Sequence, residues 1–145
     1  MAEPELWLRG PLPGIPKMLQ PVAHALLQAR EEVNLITANF PDALLWNKPA
    51  GVASVGFHLQ HLAGVIDRLF TYARGESLSQ EQKSALAAES RPSTGIHVQE
   101  LVHKFNVQVD KAIYLLGVTE EQTLAPRCGE GKASFYCDWI ALSCR

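Results

Sequence analysis

The stretch SVGFHLQHLAGVIDRLFTYARGE, residues 54–76, decides the fold. Val55, Leu59, Leu62, Ile66, Leu69 and Ala73 recur at alternating steps of four and three. That is the period of one buried helix stripe, and a strand, with its period of two, does not produce it. Gly75 follows as a residue suited to end such a helix, so a helix is predicted over 53–74. The same run carries His58 and His61. Residues at i and i+3 share a side of a helix. At about 100° per residue, His58 falls close to the stripe of Val55, Leu62 and Leu69, and His61 falls at its edge. Two readings stand side by side. The pair supplies two nitrogen ligands to a divalent metal such as zinc or nickel, or each imidazole satisfies itself on a carbonyl or water beside the core.

Upstream, Ile15, Leu19, Val22, Leu26, Ala29, Val33, Ile36 and Phe40 repeat the four-three spacing and predict a helix over 15–40. Pro16 and Pro21 belong in or before its first turn, so the regular part is expected from about Pro21. PDALLWNKPAG, residues 41–51, breaks the pattern and forms the connection. Its Trp46 stands just before the histidine helix, where it either roofs a pocket and contacts substrate or caps the open end of a bundle. Downstream, Ser79 and Gln82 stand in capping-box positions and open a short connecting helix. Val98, Val102, Phe105, Val109, Ala112 and Leu116 then predict a third long helix over 96–116, stopped at Gly117. Thr119 to Gln122 would cap one further short turn. The fold class is all-α, and three long amphipathic helices call for a bundle that a fourth would close.

The 145 residues suit a single domain over 1–145, with 1–14 an extended lead-in and 128–145 an atypical tail. Hydrophobic content of 47% and a net charge of -2 give no electrostatic footprint for nucleic acid or an anionic membrane. No apolar run reaches the length of a membrane span. The N-terminal residues lack a basic-then-apolar leader pattern, so a cytoplasmic location is expected. Cys128, Cys137 and Cys144 crowd the last 18 residues with no C-x-x-C pair, against both a disulfide framework and a zinc knuckle. His24 and His103 lie near but off the apolar stripes and read as half-exposed surface residues, and His97 as solvated. Asp67 and Arg68 read as a charged pair on a helix surface.

The stretch from Leu45 to Gln82, LWNKPAG through SLSQEQ, together with PVAHALLQAREEV before it, resembles the DinB-like superfamily over about residues 10–127, most specifically from Trp46 to Glu76. That resemblance implies an up-down-down-up four-helix bundle. It also implies a divalent metal held by three histidines, one on the second helix and an H-x-x-x-H pair on the fourth. The second-helix histidine corresponds to His61, and His58 is an extra imidazole one turn earlier. Characterised members of the superfamily transfer or isomerise substrates with a low-molecular-weight thiol, the metal activating the thiolate. This chain departs from the pattern after Lys132, where ASFYCDWIALSCR carries no histidine. Back-translation of that tail, shifted by one nucleotide, permits a peptide like the family's fourth-helix start, with a glycine forced by the Trp139–Ile140 codons. The tail is therefore read as frameshifted, with Phe135, Trp139, Ile140 and Leu142 an imperfect substitute for the missing helix. The expected protein is a thiol-dependent transferase or isomerase in intact form, with low metal occupancy here, or alternatively a non-catalytic bundle for dimerisation or small-molecule binding. A C2 homodimer would bring two sets of His58 and His61 together.

Overall fold

Four α-helices carry the described residues, with 3-10 turns in the connections and no strand among those residues. The structure is a computed structural model, and it describes residues 4–93 and 95–121. The expectations about the tail, its cysteines and a fourth long helix lie outside the described residues. The chain divides into two compact units. Residues 29–112 form one, and of the described residues 4–28 and 113–121 form the other.

The helices are α1, Gln20–Thr37; α2, Val55–Ala73; α3, Gln80–Ala88; and α4, Val98–Gly117. Each start has a visible chemical reason. Pro21 sits in the first turn of α1, where its missing N–H costs nothing. The Ser54 hydroxyl accepts from the Phe57 N–H at the head of α2. Ser79 and Gln82 close the expected capping box on α3, each side chain accepting the other's backbone N–H. Gly75 follows α2 with a φ of 75°, the left-handed conformation that suits glycine at a helix end.

In the unit 29–112 the core is dominated by α4. Val98, Val102, Phe105, Val109 and Ala112 are all buried, as the spacing predicts, and Leu101 joins them. Beside this face, α1 and α4 are tied by polar pairs whose order gives their direction. Arg30 meets Asp110, Asn34 and Asn106 exchange amide hydrogen bonds, and the Gln99 amide donates to the Thr37 carbonyl. Numbers rise along α1 while they fall along α4, so the two helices run antiparallel. The Arg30–Asp110 and Asn34–Asn106 contacts are solvent-facing and contribute register more than energy.

Two predicted stripes need correction. On α1, Val33 is buried but Ile36 is 72% exposed, and the helix stops at Thr37 rather than Phe40. At about 100° per residue, Thr37 lies closer to Val33 than Ile36 does. Thr37 takes the inward place, with its hydroxyl donating to the Val33 carbonyl at 2.6 Å. On α2, Leu59 and Ile66 are buried, Leu62 is half-buried and Leu69 is 37% exposed. The buried arc continues the other way, through Arg68 and Thr71, because α3 covers that polar flank. Gln82 pins it there, its amide donating to Asp67 Oδ2 at 2.6 Å and to the Thr71 hydroxyl at 2.8 Å.

In the other unit the Pro/Gly-rich lead-in is fastened rather than loose. The Gln20 amide donates to the Leu12 and Ile15 carbonyls and its oxygen accepts the Leu12 N–H. Gln28 accepts the Leu6 N–H at 3.0 Å. His24 is buried, not half-exposed, because its Nε2–H donates to the Gly10 carbonyl at 3.0 Å.

Candidate functional site

The side chains around His61 form the one charged cluster that is buried among the described residues. His61, Gly64 and Arg68 follow one another along one side of α2, at spacings of three and four residues. Glu89 reaches them from the C-cap of α3. Its carboxylate, 5% exposed, uses one oxygen for each partner. Oε1 accepts from Arg68 Nη1 at 2.6 Å, and Oε2 accepts from His61 Nδ1–H at 2.8 Å. The Arg68 side chain is 8% exposed and that of His61 is 42% exposed. Gly64 makes the space: a Cβ there would collide with both Glu89 Oε1 and Arg68 Nη1. Phe57, one turn before His61, stacks on its ring with centroids 5.5 Å apart and planes 11° from parallel.

Arg68 is thus not half of a surface pair with Asp67. It neutralises a buried carboxylate, and Asp67 is engaged by Gln82 instead. His58, which the helical angle placed nearer the core, is exposed. It lies on the flank of Leu62 and Leu69, the side of α2 that α3 leaves open. The two histidines therefore differ in surroundings, with His61 held by a carboxylate and the His58 ring lying T-shaped to Phe57 with centroids 5.4 Å apart. His103 is exposed on α4. His97 is exposed and paired, its Nδ1–H donating to Asp42 Oδ2 at 2.7 Å. Asp42 Oδ1 also accepts the Val98 N–H at 2.8 Å, so one carboxylate caps α4 from a distant connection.

Glu89 also borders an open cleft of about 550 Å³ along α2 and α4. Its walls mix Leu59, Ala63 and Leu101 with Gln60, Lys104 and Gln108. Trp46 is not part of that lining. Its indole lies against the first turn of α2, close enough that a Cβ on Gly56 would sit 2.7 Å from the ring. The neighbouring Gly56 N–H donates to the Leu45 carbonyl at 2.8 Å, which docks the connection onto the helix.

The cluster offers a single imidazole donor of the kind a metal centre uses. A ligating histidine commonly gives its second ring N–H to a carboxylate, which sets the tautomer and orients the ring. His61 and Glu89 have that arrangement, with Nε2 as the remaining nitrogen. No group of three His, Cys, Asp or Glu side chains that could hold an ion occurs among the described residues. No helix among them is long and apolar enough to cross a membrane. Comparison with protein-family profiles, curated proteins and solved structures found no match.

The sequence offered two faint signs of the cluster. Gly64 is a glycine in the interior of a long amphipathic helix, a costly choice unless something approaches closely. Glu89 ends a helix, where the dipole disfavours an acid unless a cation compensates. Neither sign names the partner.

Proposed function

We propose that this chain is a DinB-like helical protein in which His61 supplies one ligand of a divalent-metal site, zinc or nickel, serving thiol-dependent transfer or isomerisation. The observation that carries this reading is the His61–Glu89 hydrogen bond, which leaves Nε2 as the outward lone pair. When bound, such an ion supplies Lewis-acid activation of a thiol. The residues of this chain do the rest. Glu89 and Phe57 hold the imidazole in place, and the cleft that Glu89 borders, whose lining does not include His61, offers a small molecule an apolar wall and polar contacts. Among the described residues His61, with His58 on the preceding turn, falls short of the three ligands a catalytic site uses, so low occupancy is expected in this chain. A homodimer that apposes two copies of α2 raises the donor count.

Elemental analysis of protein purified with zinc or nickel supplied tests this. The expected result is substoichiometric metal in the parent chain and in His58→Ala, and none in His61→Ala. Equal metal in the parent and His61→Ala would refute the assignment. The cleft favours a second reading, a non-catalytic bundle that binds a small molecule. That reading stands in place of the first if neither metal is retained and thiol transfer is absent.

A further inference from the structure

The Arg68–Glu89 pair is a poor device if stability is its only purpose. Two buried ions lose hydration that their attraction repays only with good geometry, and well-packed apolar residues in their place are often neutral or better. What the pair does geometrically is aim a carboxylate oxygen at one nitrogen of His61. Everything around it holds that aim. Gly64 clears the space through which Glu89 and Arg68 meet. Gln82 fastens α3 to α2 at Asp67 and Thr71, so the helix that delivers Glu89 is held in register. Arg68 occupies Oε1, which leaves Oε2 to His61. Phe57 fixes the plane of the imidazole.

We infer that Arg68, Glu89 and Gly64 are positioning residues that lock His61 in the Nδ1–H tautomer, keeping the Nε2 lone pair turned outward for an electrophile. A carboxylate only accepts hydrogen bonds, so the ring nitrogen facing it carries the proton. A free histidine prefers the opposite tautomer, with its proton on Nε2 and no lone pair there. The assembly therefore converts the less common form of the ring into the resident one. The electrophile is a divalent cation, and this part of the inference rests on the metal reading above.

Glu89→Gln separates positioning from mere packing. The amide keeps the size of the side chain but has a single acceptor oxygen. The buried Arg68 guanidinium claims that oxygen, because an unpaired buried cation is the costlier outcome. The amide NH2 then faces His61 Nδ1, which must become the acceptor. The ring proton moves to Nε2, and the outward lone pair is lost.

The experiment is a long-range proton–nitrogen correlation spectrum of metal-free, ring-labelled protein, well above the ordinary imidazole titration range. His61 is expected as the Nδ1–H tautomer in the parent chain and as Nε2–H in Glu89→Gln. An Nε2–H ring in the parent overturns the inference without any variant having to fold. Retention of Nδ1–H in Glu89→Gln, with α-helical circular dichroism intact, overturns it as well. Zinc titration of the same samples separates the two readings. Weakening of roughly 10–100-fold in Glu89→Gln is expected for loss of the outer-shell partner. If the parent binds no zinc while showing the Nδ1–H tautomer, the metal reading fails and the positioning role is upheld.

Discussion

Replacing Glu89 by leucine leaves Arg68 at 8% exposure with no counter-charge. Removing one partner of a buried pair costs about 3–5 kcal/mol, because the remaining ion is stranded. The lost His61 contact adds little, since that side chain is 42% exposed and an exposed pair of this kind is worth under about 1 kcal/mol. Against a total stability of roughly 5–15 kcal/mol, the variant stands close to unfolding. At about 3–4 °C per kcal/mol for a chain this size, the midpoint falls by roughly 9–20 °C. Arg68→Met alone strands the carboxylate and costs a similar amount. The double variant Arg68→Met with Glu89→Leu strands neither ion, and recovers most of the loss. Urea unfolding, with the slope checked for constancy, gives all four corners of the cycle. A single-variant cost below about 1 kcal/mol, or a double variant equal to the sum of the singles, would refute the buried-pair reasoning.

Other perturbations separate the two faces of the helices and the two ends of the pH range. Phe105→Ala is expected to lose about 3–5 kcal/mol by urea unfolding, whereas Ile36→Ala at an exposed position stays within about 0.5 kcal/mol; a reversed order would show that the buried faces are misassigned. Ser79→Ala removes one arm of the α3 capping box and costs about 1 kcal/mol, with protection of the α3 amides against hydrogen exchange falling first; protection unchanged would show that the box does not hold α3. The start of α4 is pH-sensitive. The hydrogen bond to Asp42 raises His97 above the ordinary imidazole value, so its contribution is full below that value and is lost as pH rises through the raised one. The Val98 N–H first, and then His97, lower Asp42 below the ordinary carboxylate value, so its contribution is full above that value and is lost as pH falls through the lowered one. Asp42→Asn should flatten both limbs of the stability profile, and a variant profile parallel to the parent's would rule the pair out as their source.

The α4 stripe was readable from the sequence because it is a single apolar face: Val98, Val102, Phe105, Val109 and Ala112 are buried in the unit 29–112, and Leu116 is buried in the other. The α2 stripe was readable only in part. Periodicity finds the face that a helix could bury, and it does not know that α3 will cover the opposite, polar flank. Leu69 is left outside and Arg68 taken inside for that reason. The same omission placed His58 nearer the core than His61. The partners of Glu89 were not legible because they lie 21 residues away at Arg68 and 28 at His61, and nothing local to Glu89 names them. The capping box of α3 was fully legible, since both of its partners lie within one turn.

The most direct test of the proposed site is calorimetric titration of zinc into metal-free protein, comparing the parent chain, His58→Ala and His61→Ala. A site built on His61 predicts weak but saturable binding in the parent, modest weakening in His58→Ala and no binding in His61→Ala, with all three equally helical. Saturable zinc binding of equal strength in the parent and in His61→Ala would contradict it.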